Sequence, residues 1–265
     1  MQVSAYIPCY NGAATLKQAI ESVRNQSRPV DEFYVIDNGS TDDSAHVAEQ
    51  AGARVIRLDR CLGRGASRTW AMAEAKHPLV LSCDAGIELP PDFAAKAERW
   101  FEDAAVAAVA GRIAQREART VADRWRARHL FRTEKLTEVI ECARFSTGGA
   151  MVRAAAVKEV GGYDPGCYYG EDADLGRRLL ERNWKVVFDP ELTYWQIGSN
   201  SAGEALERYW RWNKGARRMD LLSYLKQIKY SATVMAREDM ETDDLEAAAI
   251  SLISPHYQFW RDRMK

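Results

Sequence analysis

The feature that most constrains the fold is a regular alternation of short apolar runs with helical segments between residues 3 and 103. The apolar runs read VSAYIP, EFYVID, ARVIRL and PLVLSCD. The segments between them have helical spacing, and in the first of them Leu16, Ile20 and Val23 fall on one face. Strands that alternate with helices predict an α/β fold in which helices cover both faces of a mostly parallel central sheet.

Unusual residues follow several of these predicted strands. The stretches PCYNG, DNGSTD and CDAG come directly after three of them. In open α/β sheets ligands bind beyond the carboxyl ends of the strands, so these stretches predict a ligand site at one edge of the sheet. A dinucleotide-binding dehydrogenase is disfavoured, because the glycine pair Gly63 and Gly65 comes two units too late and lacks the third glycine of that fingerprint.

Length and composition limit the remaining classes. A chain of 265 residues with 46% hydrophobic content predicts one large α/β domain, residues 1–220, and a C-terminal helical extension, residues 221–265. Because 37 basic residues balance 38 acidic ones, net charge offers no argument for nucleic-acid or acidic-membrane binding, and anion binding must be local. Five cysteines without a C-x-x-C pair, no leader pattern and no membrane-spanning run predict a cytoplasmic protein, with contact to the inner face of the membrane left open.

Five motifs in order carry a resemblance to a known family. They read IPCYNGAATLKQAIESVRNQ, VIDNGSTDDS, GRGASRTWAM, DAGIELPPDF and TGGAMVRAAAVKEVGGYDPGCYYGEDADLGRRL. Together, over roughly residues 3–215, they resemble family 2 glycosyltransferases, which have the GT-A fold. The resemblance implies transfer of a sugar from a nucleoside diphosphate to a glycan, lipid-linked or other acceptor, usually with inversion. The alternative is a degenerate GT-A protein that binds nucleotide or glycan without catalysis.

The same resemblance implies a set of nucleotide-binding residues. They are Pro8, Tyr10, Asn11, Asp37, Asn38, Arg68 and Asp84. Tyr10 would stack on the base, unless it is only a loop aromatic. Asn38 stands where the family often has a second aspartate, and its amide leaves the base preference open. Arg68 suits bidentate contact with phosphate, although a helix surface also carries arginines for solubility; Arg64 is a weaker candidate.

A helix beginning near residue 171 carries the predicted chemistry. Glu171, Asp172 and Asp174 fall in its first turn, where the helix dipole alone favours carboxylates. The resemblance implies that Asp172 is the general base that takes the proton of the acceptor hydroxyl. Glu171 and Asp174, with Gly148 and Gly149, border the donor and acceptor region. The two glycines allow either a close backbone approach or a turn.

The metal site departs from the family pattern. The family's D-x-D motif here reads Asp84, Ala85 and Gly86, and Gln196 lies near the usual place of a metal-binding histidine. Three explanations stay open: Asp84 and the diphosphate hold Mg²⁺ or Mn²⁺ with waters, cationic side chains replace the metal, or catalysis has been lost. The cationic side chains that could replace it are Arg208, Arg211, Lys214, Arg217 and Arg218.

The C-terminal part is the least specific. Residues 201–230 predict a single helix with Leu206, Trp210 and Lys214 one turn apart, a spacing typical of packing or of a sugar platform. The tail, residues 233–265, could pack on the domain, form a homodimer contact or touch a membrane surface. The sequence does not choose among these three roles.

Overall fold

The structure is a computed structural model that describes four stretches of chain: residues 1–132, 135–141, 143–213 and 218–264. They form two compact units, each built from two segments: Met1–Ala114 with Leu136–Ile197, and Gln115–Lys135 with Gly198–Lys265. The boundary predicted after residue 220 falls inside the second unit. The second unit also includes Gln115–Lys135 from the middle of the chain, and no local feature of the sequence predicts this.

Nine strands among the described residues form one sheet. They are β1 (Val3–Cys9), β2 (Glu32–Asp37), β3 (Arg54–Arg57), β4 (Leu79–Cys83), β5 (Ile87–Glu88), β6 (Val106–Gln115), β7 (Ile140–Glu141), β8 (Gly149–Arg153) and β9 (Lys185–Gln196). Their order is β3-β2-β1-β4-β8-β6-β9-β5, and β7 pairs with β9. The predicted parallel pairing holds from β3 to β4, whereas β8 pairs antiparallel with both β4 and β6.

Eleven α-helices lie among the described residues. They are α1 (Ala13–Arg24), α2 (Ser44–Gln50), α3 (Arg64–Glu74), α4 (Phe93–Arg99), α5 (Val121–Trp125), α6 (Ala154–Glu159), α7 (Glu171–Glu181), α8 (Ala202–Asn213), α9 (Leu221–Tyr230), α10 (Ala236–Glu241) and α11 (Leu245–Arg261). π-Helical turns follow α5 and α9 directly. No helix in the described stretches is long and apolar enough to cross a membrane.

Two apolar cores cover the two faces of the sheet. Ile7 of β1 belongs to the core that contains Leu16 of α1. The next residue back, Tyr6, belongs to the other core, with Tyr34 of β2 and Leu175 of α7. Successive side chains of a strand point to opposite faces, so strands buried on both sides read as continuous apolar runs. The predicted α/β class with helices on both faces is confirmed.

The helix predicted for residues 201–230 is wrong as a single element. α8 ends at Asn213, and α9 begins at Leu221 after Asp220. The Asp220 carboxylate accepts a hydrogen bond from the Ser223 backbone N–H at 2.7 Å, so it caps a new helix. Trp210 of α8 is buried, as the packing alternative requires, and Lys214 lies outside the described residues.

A polar network lies within the second unit. Asp239 is buried and binds His129 Nε2 at 2.7 Å and the Ser251 hydroxyl at 2.6 Å. Ser251 in turn accepts a hydrogen bond from the Trp125 indole at 2.8 Å. Buried polar groups are costly unless they are hydrogen-bonded, and this network provides partners for Asp239 and Ser251.

Candidate functional site

The parallel strands bring the first two predicted loops to one edge of the sheet. Cys9 at the end of β1 is in register with Asp37 at the end of β2, and the Asn38 N–H donates to the Cys9 carbonyl at 2.8 Å. Asn11, in the left-handed region with φ of 51°, accepts a hydrogen bond from the Thr41 backbone at 2.8 Å. The PCYNG and DNGSTD loops are therefore locked together, with Tyr10 50% exposed beside them.

Both side chains of the Asp37–Asn38 pair bind protein groups. Asp37 is buried, accepts from the Ser40 N–H at 2.9 Å and lies 3.3 Å from the Arg57 guanidinium. The Asn38 amide donates to the Gly63 carbonyl and accepts from the Leu62 N–H, each at 3.0 Å. In this arrangement Asn38 holds the loop that leads into α3.

Arg68 lies beneath the predicted nucleotide site, where it is only 2% exposed. Its guanidinium donates to the carboxylates of Asp84 at 2.8 Å and Glu171 at 3.0 Å. It also donates to the hydroxyls of Tyr6 at 3.1 Å and Ser82 at 2.9 Å. Burial opposes the charge of the guanidinium, but Tyr6 and then the carboxylates of Asp84 and Glu171 raise its pKa well above the usual range. One buried cation thus joins β1, β4, the turn after β4 and the first turn of α7.

The first turn of α7 places two carboxylates side by side. Glu171 is buried, and its second oxygen accepts no hydrogen bond from the described residues. Asp172 is half-buried and accepts a hydrogen bond from the Ala173 N–H at 2.8 Å. Burial, and next the negative charge of Glu171, raise the pKa of Asp172. Asp172 therefore holds a proton more readily than an ordinary aspartate does.

Asp174, the third acid of the motif, has a different environment. It binds Arg177 at 2.8 Å and Arg178 at 2.9 Å on its own helix. Burial opposes the shift, but these two guanidinium groups lower the pKa of Asp174. A carboxylate held by two arginines is a weaker proton acceptor, so the geometry separates Asp174 from Asp172.

Two exposed tyrosines, Tyr168 and Tyr169, lie beside the loop before α3 and the start of that helix. The rings of Tyr168 and Tyr169 meet edge to face at 4.9 Å, and the Tyr168 hydroxyl lies 3.3 Å from the Cys61 sulfur. The hydrogen bond with Cys61 raises the pKa of Tyr168 to about 12, and Tyr10 contributes to the same shift. Gly63, with φ of 91°, has no room for a side chain, because a Cβ there would lie 2.7 Å from the Tyr168 ring.

The two positions that depart from the family pattern touch each other. β4 ends at Cys83, and Asp84 follows in a turn closed by the Ile87 N–H donating to the Asp84 carbonyl at 3.0 Å. The Gln196 amide nitrogen donates to the Gly86 carbonyl at 3.0 Å, and a Cβ at Gly86 would lie 3.2 Å from that nitrogen. The amide therefore occupies the space beside Gly86.

The available oxygen atoms fit a divalent cation only in part. One oxygen of Asp84 binds Arg68, and the Asp84 side chain is 35% exposed. No group of three or more His, Cys, Asp or Glu side chains that could hold a metal occurs within the described stretches. Asp84 fits a cation that takes most of its ligands from a diphosphate and water, and does not fit a complete protein cage.

The predicted glycine pair packs against an aromatic ring. A Cβ at Gly149 would lie 2.6 Å from the Tyr194 ring, and one at Gly148 would lie 2.9 Å from its hydroxyl. The Gly148 carbonyl also accepts a hydrogen bond from the Asp84 N–H at 2.9 Å. Both glycines thus lie too close to Tyr194 for a side chain, and neither has a positive φ.

Some features were missed from the sequence, and some predicted ones lie elsewhere. Tyr6 and Ser82, which hold Arg68, were signalled only by hydroxyls in buried strands. A cavity of about 530 Å³ runs along α7 between Ala173 and Leu180, and none of the predicted site residues lines it. Arg208, Arg211 and Arg218 belong to the second unit, while Lys214 and Arg217 lie outside the described residues.

Comparison with known proteins places this geometry in context. The family model described as Glycosyl transferase family 2 matches residues 4–161. An N-acetylglucosaminyltransferase from Mesorhizobium japonicum is 26% identical over 246 residues, covering 84% of this chain and 57% of the relative. The succinoglycan biosynthesis protein ExoA from Rhizobium meliloti is 28% identical over 205 residues, covering 68% of this chain and 58% of the relative. The chain thus spans little more than half the length of these two relatives.

Solved structures share the fold. S. aureus TarS in complex with UDP-GlcNAc superposes with a TM-score of 0.60 and 16% identity, over 98% of this chain and 73% of that one. The mannosyltransferase PcManGT from Pyrobaculum calidifontis, in complex with GDP-Man and Mn²⁺, gives a TM-score of 0.57 and 14% identity, over 99% of this chain and 73% of that one. At these identities the likeness shows the fold alone, and that fold is GT-A.

Proposed function

The chain belongs to glycosyl transferase family 2, and from this premise we propose that it transfers a sugar from a nucleoside-diphosphate-sugar donor to an acceptor hydroxyl with inversion at the anomeric carbon. The observation that carries the proposal is the environment of Asp172. Asp172 is a half-buried carboxylate with a raised pKa, and it follows the buried Glu171 in the chain. Arg68 forms ion pairs with both Glu171 and Asp84, so it links the start of α7 to the turn of Asp84.

The donor would lie at the carboxyl ends of β1, β2 and β4. Tyr10 is exposed there and can stack on the base. Pro8 and Asp37 lie near the ends of β1 and β2, and Asn11 and Asn38 hold the loops on which the base would rest. Arg64 is exposed on the first turn of α3, with its guanidinium 5.9 Å from the Tyr169 ring. That exposure makes Arg64 the better placed of the two α3 arginines for contact with the diphosphate.

Asp172 would act as the general base. The acceptor oxygen forms a bond to the anomeric carbon as the bond to the diphosphate oxygen breaks, and the acceptor proton passes to the Asp172 carboxylate. A raised pKa brings a carboxylate closer to the operating pH, which favours proton transfer. Glu171 and Asp174 would border the same region, with Gly148 and Gly149 forming its floor beside Tyr194.

A divalent cation would neutralise charge on the diphosphate leaving group. Asp84 is the carboxylate that would hold it, with the remaining ligands supplied by the donor and water. With only one protein carboxylate, Mg²⁺ or Mn²⁺ should bind weakly until the nucleotide is present. Chelator titration of the turnover reaction measures this dependence.

Arg68 is proposed to act as a positioning residue. It keeps Asp84 at the leaving-group side and Glu171 beside the base at a constant separation, because one rigid guanidinium binds both. A flexible pair of carboxylates without this link would repel one another.

The experiment that tests the function is a donor panel. Wild-type protein is incubated with UDP-, dTDP- and GDP-sugars, and release of nucleoside diphosphate is measured beside an Asp172→Asn variant. Turnover of at least one donor that falls about 100-fold or more in the variant supports the transferase. Tight nucleotide binding with no hydrolysis or transfer of any donor would instead favour the degenerate binding protein.

A further inference from the structure

Helix α9 exposes an unusually apolar side. Leu221, Leu222 and Leu225 are 64%, 62% and 54% exposed, and no residue of α9 is buried. At 100° per residue these three leucines and Ile228 fall on one arc of the helix. The apolar arc of an amphipathic helix is usually packed against the rest of the protein. The arc of α9 is exposed instead, and exposed apolar patches often mark interaction sites.

The neighbouring part of α11 is also apolar and exposed. α9 runs antiparallel to it, because Met219 binds Asp262 at 3.0 Å, Tyr224 stacks on Phe259 at 4.1 Å, and Ser231 donates to the Ser251 carbonyl. Exposed apolar side chains follow α11 as well, at spacings that keep them on one face. We call these residues together the α9–α11 surface: Leu221, Leu222, Leu225, Leu252, Ile253 and Trp260.

Two lysines border this surface, and the charge of one of them, Lys226, contributes to lowering the pKa of Asp220 after the hydrogen bonds from Ser223. Lys226 and Lys229 lie on α9, and neither forms an ion pair or side-chain hydrogen bond with the described part of the chain. The nearby acids are engaged: Asp220 caps α9, and Asp262 accepts from the Trp210 indole at 2.7 Å. The net charge of −1 for the whole chain therefore conceals a local excess of positive charge.

We propose that the α9–α11 surface binds the interface of an anionic lipid bilayer, with the leucines and Trp260 among the acyl chains and the lysines at the headgroups. At 100° per residue Lys226 flanks the leucine arc and Lys229 continues it one turn beyond Leu225. Apolar side chains with lysines beside them are found on helices that lie in a membrane plane. Anionic lipids supply the negative charge that the lysines lack. A second copy of this surface would bring further lysines and no unengaged acid, so charge complementarity favours lipid.

Vesicle sedimentation tests the proposal with purified protein. Wild type should pellet with phosphatidylcholine vesicles that contain phosphatidylglycerol, and much less with phosphatidylcholine alone or at high salt. The double variant Leu222→Ser, Leu225→Ser should lower the partition coefficient by about 100-fold, at roughly ten-fold per leucine withdrawn from the acyl region. Lys226→Gln with Lys229→Gln should lower it by about 30-fold on anionic vesicles only.

A matched control is Trp70→Ser, which removes an exposed aromatic from α3 in the first unit and should leave binding unchanged. Circular dichroism verifies the fold of each variant, and the lysine pair is informative even if the leucine pair fails to fold. Failure of wild type to bind anionic vesicles, or binding that is insensitive to both double variants, overturns the proposal. Sedimentation velocity that shows a dimer, lost in the leucine variant without any lipid binding, would assign the surface to a second copy instead.

Discussion

Replacing Arg68 by methionine should destabilise the first unit strongly. The guanidinium makes four hydrogen bonds, and its partner Glu171 is 1% exposed, so the variant leaves a buried carboxylate without its cation. Breaking a buried ion pair by removing one partner costs about 3–5 kcal/mol. Asp84, which is partly exposed, can recover solvation from water and adds less.

A double-mutant cycle isolates the pair. Arg68→Met should lower the urea midpoint by about 2 M, taking about 2 kcal/mol per M for the slope. Adding Glu171→Leu removes the uncompensated charge and should restore most of that loss, because apolar replacement of a whole buried pair is often nearly neutral. Arg64→Met, at the exposed first turn of the same helix, is the matched control and should leave the free energy of unfolding within about 0.5 kcal/mol of wild type.

Arg64 and Arg68 should also differ in how much each contributes to nucleotide affinity. Calorimetry with a nucleoside diphosphate should show weaker binding for Arg64→Met, whereas the folded double variant at Arg68 and Glu171 should keep nucleotide affinity within a few-fold. An Arg68→Met variant that unfolds like wild type but loses nucleotide affinity would contradict a purely internal role for Arg68. That result would make Arg68 a direct phosphate ligand, which its burial argues against.

Three further outcomes concern the active site. Asp172→Asn should lower turnover about 100-fold or more with donor affinity nearly unchanged. In wild type, kcat/KM should rise with pH through the raised pKa of Asp172, because only the deprotonated carboxylate accepts a proton. A pH–rate profile without that rise would contradict the role of Asp172 as the base. Tyr10→Ala should weaken nucleoside diphosphate binding by about 1–3 kcal/mol, and unchanged affinity by calorimetry would remove Tyr10 from the site. Gly86→Asp should tighten Mn²⁺ binding about ten-fold once the Gln196 amide, 3.2 Å from the new Cβ, moves aside, and no gain in a Mn²⁺ titration would mean that the turn cannot aim a second ligand.

Local patterns predicted a large part of the molecule. Strands that are buried on both faces, such as β1 and β4, appear in the sequence as continuous apolar runs. They can therefore be predicted without knowing which strands they pair with. The carboxyl ends of those strands then predicted the edge where Tyr10, Asp37 and Asp84 lie. The acids at the start of α7 were recognisable for the same reason, since their spacing is a local property of the chain.

The division of the chain into units could not be read locally. Residues 115–135 join the C-terminal unit, and the antiparallel half of the sheet is built from strands far apart in sequence. Whether α8 and α9 were one helix depended on Asp220 forming a cap, which competes closely with helix continuation.

Residue order alone was enough to predict the α/β class, the edge of the sheet where the candidate site residues lie and the acids at the start of α7, because strand burial and helix spacing depend on residues a few positions apart. The neighbours of those residues in space could not be predicted in this way. Arg68 meets Glu171 across 103 positions, and Gln196 meets Gly86 across 110. The solvation and charge around a side chain are set by such distant neighbours, so exposure, pKa and the choice between ligand contact and internal support become visible only when the chain is folded.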